Sequence, residues 1–480
     1  MEAQLIIGGT AIAPSNGATY DRLDPVTGAV ATRAAAATDQ DARAAADAAA
    51  TAFPEWSAFG PGKRRTVLLA AADALAGKAD AFVEAMRNEV GATEMWARFN
   101  VALGASILRE AASMTTQIGG EVIPSDKPGA LMMGVRQPAG VVLGIAPWNA
   151  PVILGVRAIA MPLACGNTVV LKASEACPKT HLLIAEALVE AGIPAGVVNA
   201  VTNRPEDASA VVNALIDHPA VRRVNFTGST KVGRLIAEAC ARQLKPCLLE
   251  LGGKAPLIVL DDADVDAAVD AAAFGAFMNQ GQICMATERI IVDEKVADAF
   301  VAKLAAKCAA FPTGTSGPVV IGSMVDASAA ARIEGLVQDA MEQGGIIAAG
   351  GSGPSPSVHA ATVVDGLTPS MRLYKEESFG PVVGVIRVKS IDEAVQIAND
   401  TDYGLSSAVF GRDVTRAMAV AKRIQSGICH INGPTVQDEP QMPFGGVKDS
   451  GFGRFGGKAA INEFTDLRWI SIENEQHYPF

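Results

Sequence analysis

Short apolar segments alternate with longer amphipathic segments from about residue 140 onward, and this alternation most restricts how the chain can fold. The apolar runs cover residues 141–146, 168–171, 197–201 and 224–227. The amphipathic segments between them cover residues 180–191, 205–216 and 229–241. Strands and helices in this alternation predict a parallel sheet with helices on both faces. Such sheets bind nucleotides beyond the C-terminal ends of their strands.

The remaining segments give a less regular pattern. A further apolar run at residues 257–260 opens a second alternating region, which extends to about residue 440. The first hundred or so residues are predicted to be helical, with Ala- and Leu-rich helices over residues 41–53 and 66–89. Part of 121–136 and the segment 467–472 are predicted strands outside these units. We expect these two strands to pair with each other or with a second subunit.

The composition is that of a globular protein of about three domains. Hydrophobic residues make up 49% of the 480 residues and charged residues 19%, which excludes disordered and coiled-coil chains. The net charge of −11 argues against a protein that binds nucleic acid or a membrane surface. Seven scattered cysteines without a CxxC pair predict neither a disulfide framework nor a metal site. They fit a reducing cytoplasm.

A glycine turn follows the predicted strand that ends at residue 227. Gly228 and Ser229 open the next helix within a GxTxxG pattern, which differs from the GxGxxG dinucleotide fingerprint. The free N–H groups and positive dipole of a helix N-terminus favour a phosphate at such a turn. The alternative is an ordinary strand-to-helix turn.

Two residues are candidates for covalent chemistry. Cys284 follows glycine and polar residues that can form a tight, exposed turn, which suits a nucleophile, although most cysteines are inert core residues. Glu250 ends an apolar run and precedes two glycines. Partial desolvation there would raise its pKa toward the range of a general base. The alternative is a solvated glutamate at a strand end.

Seven sequence motifs that occur in a fixed order contain the candidate residues described above and together indicate one protein family. They are Pro147-Trp148-Asn149, Leu171-Lys172-Ala173-Ser174-Glu175, Phe226-Thr227-Gly228-Ser229-Thr230, Glu250-Leu251-Gly252-Gly253-Lys254, Gly281-Gln282-Ile283-Cys284, Glu376-Glu377-Ser378-Phe379-Gly380-Pro381 and Pro443-Phe444-Gly445-Gly446-Val447-Lys448. In this order and spacing the chain resembles the NAD(P)-dependent aldehyde dehydrogenase superfamily over nearly its whole length.

The resemblance implies catalytic roles for three residues. Cys284 matches the nucleophile, Glu250 the base that activates water, and Asn149 the amide that stabilises the oxyanion together with the backbone N–H of Cys284. An attack of Cys284 on the aldehyde, hydride loss and hydrolysis of the resulting thioester would yield a carboxylic acid. Relatives that transfer the acyl group to coenzyme A lack a glutamate at the base position, so Glu250 favours hydrolysis.

The resemblance also implies a dinucleotide site, an α/β architecture and an assembly. The matching cofactor residues are Trp148, Lys172, Glu175, Gly228, Ser229, Glu377 and Phe379. Glu175 should accept hydrogen bonds from a free ribose and repel a 2′-phosphate, which favours NAD over NADP, although Lys172 would partly offset that repulsion. The expected parts are a Rossmann-like cofactor domain (1–118 and 139–249), an α/β catalytic domain (250–445) and a β-strand oligomerisation arm (119–138 and 446–480). A homodimer or a dimer of dimers is expected.

The helix predicted from residue 151 to residue 163 suggests the substrate. It is apolar on all sides except at Arg157, which shares a face with Ala150 near Asn149. Trp96 and Asn100, four residues apart on another helix, are predicted to form the opposite wall of an aldehyde tunnel. This pattern is similar to the bacterial vanillin and salicylaldehyde dehydrogenase group. It predicts an aromatic aldehyde whose ring hydroxyl or carboxylate is recognised by Arg157.

Three alternatives remain open at this point. Arg157 could instead pair with a structural carboxylate. It could also hold the carboxylate of an aliphatic semialdehyde, in which case the enzyme would be a semialdehyde dehydrogenase. A protein of another class, a catalytically silent NAD-binding protein, is disfavoured because Asn149, Glu250 and Cys284 are all present.

Overall fold

The computed structural model describes residues 1–473 and 480. An eight-stranded sheet forms its first layer, and its order is β20-β12-β11-β8-β9-β10-β2-β3. The strands of this sheet, in the same order, are Gly451–Phe452, Cys247–Glu250, Val221–Thr227, Val141–Ile145, Thr168–Lys172, Val198–Val201, Leu5–Ile7 and Thr10–Ile12. The five strands from β12 to β10 are parallel, as the alternating sequence pattern predicts.

A seven-stranded sheet forms the second α/β unit, with the order β15-β16-β17-β14-β13-β18-β19. Its strands, in the same order, are Ile346–Ala349, Thr362–Asp365, Val382–Val388, Thr287–Asp293, Ala255–Val259, Ala408–Phe410 and His430–Ile431. All neighbouring strands are parallel except β15 and β16. This sheet is the second alternating region of the sequence.

Helices cover both faces of the two large sheets. The helices α1 to α8 are Asp39–Ala58, Pro61–Gly77, Ala79–Val90, Glu94–Met114, Pro151–Ala164, Pro178–Glu190, Ala208–Asp217 and Thr230–Arg242. The helices α9 to α15 are Val265–Phe277, Glu294–Ala309, Ala327–Glu342, Arg372–Lys375, Ile391–Asn399, Val414–Ala421 and Gly457–Glu463. The connections β8-α5-β9-α6-β10-α7-β11-α8-β12 form the doubly wound unit, and apolar clusters fill the space between sheet and helices on each face.

Two smaller sheets complete the fold. One joins β1 (Glu2–Ala3), β5 (Val30–Ala35) and β4 (Thr19–Leu23). The other joins β21 (Thr465–Ile472), β7 (Leu131–Pro138) and β6 (Glu121–Ile123). The antiparallel register of β21 against β7 confirms that the two strands outside the main units pair with each other. Of the predicted arm, residues 474–479 lie outside the described residues, and the domain boundaries stay a prediction.

The helical prediction for the first hundred residues is wrong for residues 2–35, which form the five strands β1 to β5. These strands are at most six residues long, and β5 is rich in alanine rather than in β-branched residues, so its sequence lacks the usual strand signature. Pairing with β4 and β1 decides its conformation. The predicted helix over 66–89 is divided into α2 and α3 at Lys78.

A buried carboxylate connects the N-terminal region to the doubly wound unit. Glu89, at the end of α3, is fully buried and accepts hydrogen bonds from the hydroxyls of Thr32 (2.8 Å) and Thr180 (2.7 Å). It also accepts the backbone N–H groups of Lys179 (2.8 Å) and Thr180 (3.0 Å) in the first turn of α6. Glu89 therefore caps α6, which follows the loop that bears Lys172 and Glu175.

No helix within residues 1–473 is both long and apolar enough to cross a membrane.

Glu89→Ala should lower the melting temperature by several degrees. The substitution leaves four donors in a buried position without an acceptor, and each such loss costs about 1–3 kcal/mol. Glu84→Ala, at an exposed position of the same helix, is the matched control and should change the melting temperature little. Equal melting temperatures for both variants would contradict the capping role. Differential scanning calorimetry at pH 7 measures the effect.

Candidate active site

A cavity of about 950 Å³ lies at the C-terminal ends of the parallel strands in the first sheet. It is lined by every residue that the sequence predicts for catalysis or cofactor binding. These residues are Trp148, Asn149, Lys172, Glu175, Gly228, Ser229, Glu250, Cys284, Glu377 and Phe379. Strands β8, β9, β11 and β12 end at or just before seven of them. The fold therefore brings together residues that are separated by more than two hundred positions.

Cys284 is half-buried in a tight turn between α9 and β14. The preceding residues Asn279, Gln280 and Gly281 all have left-handed backbone conformations, with φ of 50°, 55° and 67°. A Cβ atom on Gly281 would lie 2.2 Å from the carbonyl oxygen of Gly380, so only glycine fits there. The predicted tight turn is present, and its strained backbone holds Cys284 in the cavity wall.

The Cys284 turn and the Asn149 segment are joined by direct hydrogen bonds. The side-chain amide of Asn149 donates to the carbonyl oxygen of Gln282 (3.0 Å). The carbonyl oxygen of Asn149 accepts hydrogen bonds from the amide of Asn279 (3.0 Å) and the indole N–H of Trp96 (3.0 Å). These contacts fix the Asn149 amide beside the turn that carries Cys284.

Glu250 ends β12 and is 1% exposed. Neither carboxylate oxygen has a hydrogen-bond partner among the described residues. Burial raises the pKa of this carboxyl group to about 8, although the positive charge of Arg157 opposes the shift. This environment agrees with the prediction that Glu250 is desolvated at the end of a strand. It does not agree with the alternative, a glutamate exposed to solvent.

The environment of Cys284 also disfavours negative charge. Burial raises the pKa of its thiol well above the ordinary value, and the nearby carboxylates of Glu250 and Glu377 raise it further. Arg157 acts in the opposite direction. Because Cys284 and Glu250 compete for one negative charge in a desolvated site, an ionised Glu250 is a suitable acceptor for the proton of the thiol.

Glu377 and Phe379 form the wall opposite Trp148. Glu377 accepts the backbone N–H of Gly253 (2.8 Å), and burial raises its pKa to about 7. Phe379 has a φ of 47°, and the Phe379 and Trp148 rings pack edge to face with their centroids 5.7 Å apart. A second buried carboxylate, Glu288, holds this strained loop by accepting the backbone N–H groups of residues 378 and 379.

Sequence reasoning missed Glu288 and its buried partner Lys254. Glu288 is 3% exposed and forms an ion pair with Lys254, which is 1% exposed. In the sequence, Lys254 is only the last residue of the motif that begins at Glu250, and no local pattern indicates that Glu288 contacts the loop ninety residues further along. The pair positions the Glu377 loop from behind and does not line the cavity.

Lys172 and Glu175 form the far end of the cavity. Their side chains are ion-paired, and the amide of Asn203 donates to the Glu175 carboxylate (3.0 Å). Burial acts to raise the pKa of Glu175, but the charge of Lys172 and the hydrogen bonds outweigh it, and the pKa is lowered. Glu175 therefore stays ionised at neutral pH. Ser229 is the N-cap residue of α8, and its side chain accepts a hydrogen bond from the backbone N–H of Val232 (3.4 Å).

The four predicted substrate residues do not line this cavity. Trp96 is 4% exposed and supports the Asn149 carbonyl, while Asn100 is fully buried and donates to the carbonyl oxygen of Trp96 (3.0 Å). Ala150 precedes α5 as its N-cap residue and is 8% exposed. Their proposed role as walls of an aldehyde tunnel stays a prediction.

Arg157 is paired with a carboxylate, the arrangement that sequence analysis gave as the alternative to substrate recognition. The Arg157 guanidinium contacts Asp438, and the two side chains are 7% and 12% exposed. The guanidinium also lies 4.4 Å above the centroid of the Phe444 ring. Asp438 is 281 positions from Arg157, so the sequence pattern gave no means of finding it.

Comparison with known proteins identifies the family. Residues 12–470 match the model of the aldehyde dehydrogenase family. The chain belongs to this family. It is 59% identical to a vanillin dehydrogenase of Pseudomonas fluorescens, over the full length of both chains. It is 36% identical to a benzaldehyde dehydrogenase [NAD(+)] of Pseudomonas putida, over 97% of this chain and 96% of that relative.

The fold agrees with that of a solved aldehyde dehydrogenase. The crystal structure of a salicylaldehyde dehydrogenase from Pseudomonas putida G7, complexed with salicylaldehyde, matches with a TM-score of 0.98. The two chains are 51% identical and cover each other completely. The resemblance inferred from the seven motifs is therefore confirmed at the level of family and fold.

Gly281→Ala should lower kcat at least about 100-fold while the protein still folds. The added Cβ atom cannot fit beside the Gly380 carbonyl, so the Cys284 turn must move, and a shift of about 1 Å in a catalytic group costs roughly that factor. Gly317→Ala is the matched control, because Gly317 has a similar φ of 78° with no atom near its Cβ position. Equal kcat values in both variants would contradict the close-packing requirement. Steady-state NADH formation measures the rate.

Proposed function

We propose that this aldehyde dehydrogenase uses NAD to oxidise ring-hydroxylated benzaldehydes to the corresponding carboxylic acids. The observation that carries the proposal is that Cys284, Asn149 and Glu250 line the same cavity as the predicted dinucleotide residues. A nucleophile, an oxyanion donor and a proton acceptor are the three groups that thioester chemistry requires.

In the first step, the Cys284 sulfur adds to the aldehyde carbon and the carbonyl electron pair moves to oxygen. The ionised Glu250 takes the thiol proton, because both groups lie in one desolvated site. One amide hydrogen of Asn149 is used by Gln282, and the second is available for the oxyanion. Such a donor lowers the barrier by roughly 3 kcal/mol.

The cavity fits a dinucleotide at each of its parts. Lys172 and Glu175 would hold one ribose, the N-terminus of α8 would hold the pyrophosphate, and Glu377 would hold the second ribose. The ionised Glu175 favours a free 2′-hydroxyl, as in NAD, over the 2′-phosphate of NADP. Bound nicotinamide dinucleotide would supply the hydride acceptor that the oxidation requires.

Glu250 is also suited to the hydrolytic step. Glu250 first releases the thiol proton to solvent, which accounts for the one proton that the overall oxidation produces. With the acyl group held on Cys284 as a thioester, the ionised Glu250 removes a proton from water, the resulting hydroxide attacks the acyl carbon, and the departing sulfur takes a proton back from Glu250. The carbon–sulfur bond then breaks, and the carboxylic acid and free Cys284 are formed. A carboxyl group with a pKa of about 8 is a much stronger base than an exposed glutamate.

The names of similar proteins support an aromatic substrate. The relatives described above are a vanillin, a salicylaldehyde and a benzaldehyde dehydrogenase, and the match to the first two extends over the whole chain at 51–59% identity. All three names share an aldehyde on a benzene ring, and the two with the higher identity add a ring hydroxyl.

We further propose a homodimer or a dimer of dimers in the cytoplasm. The small sheet of β6, β7 and β21 has two edges, and several of its large apolar side chains are exposed. Trp469 on β21 is 75% exposed and Val122 on β6 is 69% exposed. A second copy of the chain that covers this sheet would remove both from water.

A panel of aldehydes tests the proposed function. Wild-type protein with NAD should oxidise vanillin and salicylaldehyde with a kcat/KM at least about tenfold above that for succinic semialdehyde, a preference worth about 1.4 kcal/mol. Cys284→Ser should abolish NADH formation, whereas Cys429→Ser, at an exposed cysteine, should retain it. Preference for succinic semialdehyde would contradict the aromatic assignment, and undiminished activity of Cys284→Ser would contradict the covalent mechanism.

Glu250→Gln should remove the base that both half-reactions use. An amide cannot take the proton of water, so we expect steady-state turnover to fall at least about 100-fold. In the wild type, kcat should rise with pH as the carboxyl group ionises through a pH of about 8, and this rise should vanish in the variant. Stopped-flow NADH fluorescence from pH 6 to pH 10 measures both effects. A steady-state rate close to that of the wild type would contradict the assignment of Glu250 as the base.

A further inference from the structure

The charges of Arg157 and Asp438 cancel in their ion pair, but one carboxylate oxygen of Asp438 accepts no hydrogen bond from the described residues. The pair is almost fully buried, and it involves one carboxylate oxygen of Asp438. The other oxygen, Oδ1, is buried and has no hydrogen-bond partner among the described residues. A buried carboxylate oxygen without a donor costs free energy, so this position favours a ligand that supplies an O–H or N–H group.

The pair is carried by segments that are joined to those of the reacting groups. Arg157 is on α5, which begins two residues after Asn149. The segment that carries Asp438 is anchored to the Cys284 turn, because the hydroxyl of Thr435 donates to the carbonyl oxygen of Met285 (2.7 Å). The charges of Arg157 and Asp438 also reach Glu250, whose pKa the first lowers and the second raises.

We propose that Asp438 is a specificity-determining residue that accepts the ring hydroxyl of the aldehyde through Oδ1, while Arg157 donates to the same hydroxyl oxygen. This inference rests on the proposed function and deepens it. A phenolic hydroxyl is at once a donor and an acceptor, and the Arg157–Asp438 pair presents one group of each kind side by side.

The pair discriminates between three kinds of substituent. A hydroxyl satisfies both Arg157 and Asp438. A methoxy group accepts a hydrogen bond from Arg157 but leaves Asp438 Oδ1 without a donor. A carboxylate has no donor and places a second negative charge against Asp438, so the balanced pair rejects the semialdehyde type of substrate that an unpaired arginine would attract.

Asp438→Asn tests this assignment. The substrates are the 2-, 3- and 4-hydroxybenzaldehydes, the three matching methoxybenzaldehydes, unsubstituted benzaldehyde and 4-formylbenzoate. For the hydroxybenzaldehyde that the wild type prefers, the ratio of kcat/KM values for hydroxyl over methoxy should fall about tenfold in the variant. The kcat/KM for 4-formylbenzoate should rise, because Arg157 is then free to bind a carboxylate.

Two further variants test whether the effect of Asp438→Asn on specificity is purely structural. Glu439→Gln also replaces a carboxylate with an amide, at the residue next to Asp438. The Glu439 carboxylate accepts hydrogen bonds from Gln437 and Gln441, so this variant should leave the ratio of kcat/KM for hydroxyl over methoxy substrates unchanged. The double variant Arg157→Met/Asp438→Leu replaces the buried pair with apolar side chains of similar size, a change that proteins often tolerate. It should lose the hydroxyl preference without gaining activity on 4-formylbenzoate.

The outcomes separate this inference from the proposed function. Equal losses of kcat/KM on hydroxy-, methoxy- and unsubstituted benzaldehydes in Asp438→Asn, or an unchanged hydroxyl preference in the double variant, would overturn the role of Asp438 and leave the aromatic activity intact. A wild type that oxidises none of the benzaldehydes would overturn the proposed function itself. Two measurements establish that each variant is folded. One is its melting temperature, and the other is its NAD binding, which is followed by the quenching of tryptophan fluorescence.

Discussion

The Glu250 carboxylate is buried and has no hydrogen-bond partner within residues 1–473, and the chemistry of this site depends on that constraint. A carboxyl group in water is almost fully ionised at neutral pH and is a weak base, whereas this one has a pKa of about 8. The same desolvation raises the pKa of the Cys284 thiol. In the proposed mechanism, one proton moves between sulfur, carboxylate and water.

Close backbone contacts fix the relative positions of the groups in this site. A Cβ atom on Gly253 would lie 2.3 Å from the carbonyl oxygen of Cys284, and one on Gly252 would lie 2.6 Å from the carboxylate of Glu377. The glycines that follow Glu250 thus allow the Cys284 turn and the Glu377 loop to approach β12. The ion pair of Glu288 with Lys254 holds the Glu377 loop from the other side. Precise placement costs strain at residues 279, 280 and 379, all with positive φ.

Charge balance distinguishes the two kinds of substrate that a buried arginine could serve. Considered alone, Arg157 offers a positive charge, which suits an aldehyde that carries a carboxylate. Paired with Asp438, it offers a neutral combination of donor and acceptor, which suits a hydroxyl group. The partner of a charged residue is thus as important for specificity as the residue itself.

Much of the architecture follows from local sequence patterns. The apolar runs ending at residues 146, 171, 201 and 227 correspond to strands β8 to β11, and each is followed by a helix at the predicted place. Asn149, Glu175 and Ser229 follow these strands, so the parallel sheet gathers them at one edge, whereas Cys284 and Glu377 come from the second α/β unit. The short N-terminal strands escaped prediction because their stability comes from pairing with distant segments rather than from their own residues.

The sequence by itself determined the family, the order of the sheet-forming units and the identity of Cys284, Glu250 and Asn149 as the candidates for chemistry, because these depend on residue type and spacing. Only the tertiary structure decided the protonation of Glu250, the support that Trp96 gives to the Asn149 carbonyl, and the pairing of Arg157 with Asp438. Desolvation and charge pairing arise between side chains that lie far apart in the chain, and no local pattern records which of them will meet.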